Sequence, residues 1–280
     1  MRILIVLCLV PALFLFSCQK EVDLSNGNIG VNLTGSDNDL LQKIVSISGS
    51  DSSSLIFEYN TSDELVLLRT IDVSGGATAV SEERAVRNAQ GIIERLIIKD
   101  DQYRQFGVDS VVTIVQYSAG KYMFKVTTID VGIGVFKDSV AIVYDPVGNV
   151  ISERMYDDLA LGSYDETAKI DFTYDDSNIA TIKQYVFDAR TSSYSLRETF
   201  SYEQYDNQRS PLTIGYDAFV FNSPSLYSSN NPTRNSIASQ GAPVLTYATT
   251  YTYNPLSKPS TAVAIIQPGN STVTSTYYYQ

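Results

Sequence analysis

The chain has 280 residues, 44% of them hydrophobic and 18% charged, a composition that excludes a disordered chain and allows a sizeable core. A formal net charge of −11 argues against nucleic acid and anionic membrane surfaces as partners. Histidine is absent, which removes Ser-His-Asp and Cys-His catalysis, histidine zinc sites and histidine general bases.

Met1 and Arg2 precede an apolar run from Ile3 to Phe16, the anatomy of a secretory signal peptide over residues 1–17. The run is too short for a stable transmembrane helix. Its end, Leu15-Phe16-Ser17-Cys18, resembles the lipobox of bacterial lipoproteins, which implies cleavage before Cys18 and lipidation of that residue. The other cysteine, Cys8, lies inside the run, so the lipidated chain would hold no free thiol and no disulfide. Residues 18–39 are rich in Asn, Gly, Ser and Asp and read as a flexible tether. Their start, Gln19-Lys20-Glu21, resembles the acidic export tag of Bacteroidetes surface lipoproteins.

From Leu40 to the last residue, strand signals recur. Leu55, Phe57 and Tyr59, and later Ile170, Phe172 and Tyr174, alternate with polar residues, the period of a half-buried antiparallel strand. The clearest unit runs from Ala141 to Arg154: an apolar strand, a turn opened by Asp145 and Pro146 and closed by Gly148, and a return strand. The same order recurs at Tyr59-Asn60 with Asp63, at Arg87-Asn88 with Gly91, at Tyr174-Asp175 with Asn178, and at Tyr253-Asn254. Tyr117 and Tyr202 mark looser members, and Ser257 and Gly120 depart from the pattern. The Asp or Asn after the aromatic suits an Asx turn, and the residue three places on tolerates the left-handed region. Asp145, Gly148, Asn60, Asn88, Gly91, Asp175 and Asn178 are therefore expected as structural turn residues. Ser81 to Arg87 has some helical character, but its place in the repeat favours a strand.

A period of roughly 28 residues gives about 14 to 16 strands, more than an open twisted sheet holds without curling. The expected fold is all-β: one domain over residues 40–280, a long antiparallel meander of repeated hairpins, strongly twisted and curled, with little or no helix. Asp206 to Pro211, Asn222 to Ser225 and Asn230 to Arg234 break the period, predicting an insertion near residues 206–246, read as a variable surface loop.

Tyr144-Asp145-Pro146-Val147-Gly148-Asn149-Val150 resembles the YD repeat of large bacterial surface and toxin-shell proteins, where such hairpins are scaffold. The order of Leu40-Leu41-Gln42-Lys43-Ile44, the Tyr-Asp/Asn hairpins, Tyr205-Asp206-Asn207, Asn230-Asn231-Pro232-Thr233 and Tyr251-Thr252-Tyr253-Asn254 is similar to a family of uncharacterised Bacteroidetes lipoproteins with YD-like hairpins. That resemblance implies no activity and no catalytic residue.

Catalytic signals are sparse. Gly132-Ile133-Gly134 lacks the third glycine of a dinucleotide fingerprint. The carboxylate pairs Asp100-Asp101, Asp157-Asp158 and Asp175-Asp176 fall near strand ends and suit turns better than a glycosidase cleft, because successive strand residues face opposite sides. No cofactor is expected. Calcium is a softer reading of Asp175 to Asn178 and of Asp37-Asn38-Asp39, although Asx turns explain both without a metal. These readings converge on a lipid-anchored, non-catalytic scaffold or binding module of the outer membrane, periplasm-facing or cell-surface exposed, with a glycan or an envelope protein as partner. The alternatives are a carboxylate-only hydrolase acting on envelope or extracellular glycans and a periplasmic carrier or assembly factor.

Overall fold

A computed structural model describes residues 40–105, 107–130, 135–157 and 165–280. Cys18, the signal peptide, the tether, Asp37-Asn38-Asp39, Gly132-Ile133-Gly134 and Asp158 lie outside them.

Sixteen strands follow one another: β1 (Leu41–Ser48), β2 (Asp51–Tyr59), β3 (Leu65–Ser74), β4 (Ala77–Arg87), β5 (Ile93–Asp100), β6 (Val111–Ser118), β7 (Lys121–Asp130), β8 (Val135–Tyr144), β9 (Val150–Asp157), β10 (Asp165–Asp175), β11 (Asn178–Asp188), β12 (Ser193–Arg209), β13 (Asn230–Ser239), β14 (Leu245–Tyr253), β15 (Pro259–Gln267) and β16 (Ser271–Tyr279). Single helical turns occur at α1 (Asp101–Arg104) and α2 (Asp217–Val220), with a 3-10 turn at Pro224–Tyr227. Each strand pairs antiparallel with its sequence neighbours, and β1 pairs with β16, so the meander closes into a barrel. The curling goes further than the sequence reading states. The seam runs from Leu41 opposite Tyr279 to Ile47 opposite Thr274, and closure leaves no strand edge unpaired.

Side chains alternate between the two faces of this wall. On β6, Val111, Thr113 and Val115 are buried while Val112, Ile114 and Gln116 are exposed; on β15, Ala262 and Ala264 are buried while Val263 and Ile265 are exposed. The buried set forms one core that draws on strands all round the barrel, including Leu41, Phe57, Leu96, Tyr122, Ile142, Phe172, Ile182, Phe200 and Tyr277. Ser81 to Arg87 lie in β4, the strand their place in the repeat predicts.

Four of the repeated turns are built alike. Asn60, Asn88, Asp145 and Asn254 each exchange two backbone hydrogen bonds across the turn, giving N–H to the carbonyl four residues on and accepting from the N–H three residues on, at 2.8–3.1 Å. Their side chains take further turn N–H groups. Asp145 Oδ1 accepts from Val147, Gly148 and Asn149 at 3.0, 2.7 and 2.9 Å, and Asn60, Asn88 and Asn254 repeat the contact with two N–H groups each. Desolvation pushes the Asp145 carboxyl up, but the hydrogen bonds from Asn149, Gly148 and Val147 together outweigh it and hold the carboxyl below its ordinary value. The residues three places on, Asp63, Gly91, Gly148 and Ser257, all have positive φ, so Ser257 belongs to the pattern from which its side chain seemed to depart.

Asp175 and Asn178 do otherwise. They pair directly across β10 and β11, leaving a two-residue connection in which Asp176 carries the positive φ. The loop is one residue shorter than at Asp145, so Asn178 is in the strand and not in the left-handed region. Its side chain serves another segment: Oδ1 accepts from the N–H groups of Ser229 and Asn230 at 2.7 and 2.8 Å.

The tyrosines of the repeat have a role beyond apolar filling. Tyr59, Tyr144 and Tyr174 donate their hydroxyls to the carbonyls of Leu41, Tyr122 and Val150 at 3.1, 2.8 and 2.7 Å, and Tyr205, Tyr251 and Tyr279 reach Ile179, Pro232 and Pro259 likewise. In each case the acceptor lies at the start of the strand next to the tyrosine's own. Barrel stagger leaves such carbonyls beyond the last backbone pair, and the phenol supplies the donor. Arg87, which stands in the tyrosine position of its repeat, does the same for Leu65 with its guanidinium.

Candidate functional site

The period break is not a surface loop. Its outer parts belong to β12, β13, the short connection 240–244 and the start of β14, and residues 210–229 form the one long stretch outside the sheet. That segment folds back into the end of the barrel that carries the repeated turns and seals it. Leu212, Ala218, Phe219, Val220, Phe221 and Leu226 are buried in the common core, and Phe219 meets Phe172 edge-on at 5.3 Å. Tyr216 Oη donates to the Gly148 carbonyl at 2.7 Å, and the Ser228 hydroxyl accepts from the Ile179 N–H at 3.1 Å, so the plug is tied to the turns around it. The signal for this was the run Ala218-Phe219-Val220-Phe221, too apolar for an exposed loop.

Charged groups pin the plug from inside the wall. Asp217 receives the Arg87 guanidinium at 2.6 Å and the Tyr122 hydroxyl at 2.8 Å. Burial pushes its carboxyl above the ordinary value, against the pull of Arg87 and of both hydrogen bonds. Lys125 and Glu153, with side chains only 3% and 4% exposed, pair at 3.0 Å. The same ammonium donates to the Phe219 carbonyl at 2.5 Å and to Asn222 Oδ1 at 2.7 Å. Isolated charges at such depth would cost several kcal/mol each, and these partners offset that cost. None of the four charged residues was marked as a site by its sequence context; Arg87 alone stood out, by its place in the repeat.

Further from the plug, the interior carries acids. Glu83 faces inward on β4 opposite Leu68 and Ile98, its Oε2 sealed from solvent with no hydrogen-bond partner. Burial pushes its carboxyl up to about 8, with Lys125 pulling it down and Asp100 pushing it up. The Tyr103 phenol is raised by burial, then by Asp100, Asp138 and Glu83, which places these groups near one another. No group of three His, Cys, Asp or Glu among the described residues has the arrangement of a metal site.

The sequence-marked carboxylate pairs sit at strand ends. Asp100 ends β5, while Asp101 begins α1, accepts the Val80 N–H at 2.8 Å and pairs with Arg104. Asp157 ends β9, and Asp175 ends β10 just before Asp176 in the turn. In the Asp175–Asn178 cluster the Asn178 oxygen is already committed to two N–H donors, which leaves it ill placed to bind a cation.

The outer wall mixes ion pairs with exposed apolar residues, among them Ile47, Val112, Ile114, Phe124, Val263 and Ile265. Arg69 on β3 meets Glu82 on β4 at 2.7 Å, and Lys169 meets Asp171 on β10 at 2.5 Å while lying 4.5 Å and 4.9 Å from the ring centroids of Tyr185 and Tyr194. Arg234 on β13 pairs with Glu203 on β12 at 2.8 Å. Arg69, Glu82, Lys169, Asp171 and Arg234 all lie in the middle parts of their strands. No helix among the described residues is long and apolar enough to cross a membrane, which says nothing of crossing by strands; the outer wall is the relevant surface.

No family model and no curated protein matches the chain. Among solved structures it is similar to a porin-like protein from Bacteroides uniformis, at 13% identity and a TM-score of 0.52 over 86% of this chain and 98% of that one. A porin-like protein from Bacteroides vulgatus is similar at 13% identity and a TM-score of 0.51, over 87% of this chain and 99% of that one. At these identities the likeness concerns the barrel fold.

Proposed function

We propose that this protein is a lipid-anchored, non-catalytic barrel of the cell envelope, a scaffold or binding module standing in water beside the outer membrane and not a channel through it. The observation that carries this is the outer wall. A membrane-spanning barrel presents an apolar band about 25 Å tall, and a Lys or Arg at its midplane costs about 2–4 kcal/mol. Arg69, Lys169 and Arg234 occupy mid-strand positions beside carboxylates, an arrangement suited to water. The plug, held by Arg87–Asp217 and Lys125–Glu153, supports a closed interior and leaves a carrier reading without an open apolar inner face at that end. Strand-end carboxylates favour a non-catalytic reading over a hydrolase. The anchor rests on Leu15-Phe16-Ser17-Cys18 and the envelope location on that segment together with the barrel fold.

Fractionation of cells expressing Cys18→Ser tests the reading. The variant should leave the membrane fraction with its β-sheet circular dichroism unchanged, and the wild-type protein should produce no conductance steps in planar bilayers. A variant that still pellets with membranes, or steps of defined conductance, would contradict it.

A further inference from the structure

Two sectors of the outer wall are poor in charge: a narrow one over β6 and β7, with Val112, Ile114, Phe124 and Val126, and a wider one over four strands. Among the described residues, the outward positions of β14, β15, β16 and β1 carry no charged side chain except Lys43, at the margin beside the sealed end. In register across the sector run Thr250, Val263, Thr274 and Ile47, and beside them Ala248, Ile265 and Thr272. Val263, Ile265 and Ile47 are 38%, 44% and 52% exposed. The alternation is clean, with small residues such as Ala262, Ala264 and Ser275 buried behind them, so the outward rows are held on a rigid sheet.

We infer that this uncharged sector is a self-association surface through which two copies of the chain meet. The charge distribution favours this occupant. A chain of net charge −11 repels its own copies, and the walls bearing Arg69–Glu82 or Lys169–Asp171 would have to desolvate ions to form a contact. The β14–β1 sector buries none. Valine, isoleucine and threonine methyl groups supply apolar area, and threonine hydroxyls can pair with the same residues of a two-fold partner. From strand spacing and rise, the sector measures roughly 20 by 25 Å, or about 1,000 Å² over two copies. That lies at the lower bound for a specific interface, so the dimer is reversible and concentration-dependent.

The absence of interfacial charge sets the salt dependence. Screening weakens an ion-paired interface but here only reduces the repulsion between two acidic bodies, so association strengthens as salt rises. Sedimentation velocity of the Cys18→Ser protein over a concentration series at low and high salt reads this directly. The mass should move from one copy towards two, further at high salt, and Ile265→Glu or Thr274→Glu should abolish the change while circular dichroism stays native. Ile114→Glu, on the exposed apolar wall of β6, should leave it intact. A monomer under all conditions, a dimer weakened by salt, or a dimer lost with Ile114→Glu and kept with Ile265→Glu would each overturn the inference. So would binding to phosphatidylglycerol vesicles that Ile265→Glu removes, which would make the sector a lipid-facing surface.

Discussion

The two ends of the barrel are built by different rules. At the sealed end, Asx side chains fold four of the turns, phenols satisfy carbonyls at the starts of neighbouring strands, and residues 210–229 fill the opening. At the far end, connections such as Gly49-Ser50 and Gly75-Gly76 rely on glycine at positive φ without that side-chain scheme, and Asp100 ends β5 there. The motif that repeats in the sequence is thus a device for closing one end of a barrel. It positions a plug, through contacts such as Tyr216 Oη to the Gly148 carbonyl.

The contrast predicts where substitution hurts most. Phe219→Ala should cost about 3–5 kcal/mol, because the plug's central ring leaves a cavity the surrounding wall cannot fill. Lys125→Ala should cost a similar 3–5 kcal/mol by stranding Glu153, whereas Lys125→Met with Glu153→Leu should recover most of the loss. Urea unfolding of the three variants decides this. Equal losses for Lys125→Ala and the double variant would mean that packing, and not an unpaired charge, sets the cost.

Turn substitutions come next. Gly148→Val should cost about 1–3 kcal/mol, from backbone strain at φ +106° and not from crowding, since an added Cβ would meet Lys121 Nζ and Tyr216 Oη at 3.5 Å, ordinary contact. Asn178→Gly should also cost about 1–3 kcal/mol, because two partly buried N–H groups of the plug's return would lose their acceptor. Sequence alignment of the repeats makes Asn178 the counterpart of Gly148 and predicts that it tolerates glycine. Thermal unfolding of Asn178→Gly separates the two expectations. A smaller loss, about 0.5–1.5 kcal/mol, is expected for Tyr174→Phe, which removes the hydroxyl from the Val150 carbonyl and keeps the ring.

The buried acids of the interior should respond to pH. The folded state holds the Glu83 proton to about 8, well above the ordinary carboxylate range, so it binds more protons than the unfolded chain across that interval. Stability should therefore fall as pH rises from about 5 to 8, with Asp217 adding in the same direction. Glu83→Gln should flatten the slope in thermal midpoint against pH, and an unchanged slope would assign the effect elsewhere.

Much of the wall was legible in the sequence because strand alternation and turn chemistry are local. Ile170, Phe172 and Tyr174 announce their face, and Asp145 and Gly148 announce their turn. Closure was not legible, since β1 and β16 meet only through the register of residues more than two hundred positions apart. The plug was obscured by the Asn- and Pro-rich stretches flanking it, which suggested a surface loop although Phe219 and Phe221 are wholly buried. The buried pairs were invisible for the same reason: Lys125 and Glu153 look like ordinary strand residues until the barrel brings them together.

The central claim, that the outer wall stands in water, is tested most directly by cysteine labelling in intact membranes. On the proposed reading the mature chain begins at an acylated Cys18 and holds no other cysteine, so Arg69→Cys, Lys183→Cys and Ile114→Cys each introduce one reporter thiol. All three should react with a water-soluble maleimide at comparable rates after the outer membrane is made permeable to the reagent. Protection of all three until detergent is added would mean that the wall is buried in lipid, and the protein would then be a membrane-spanning barrel.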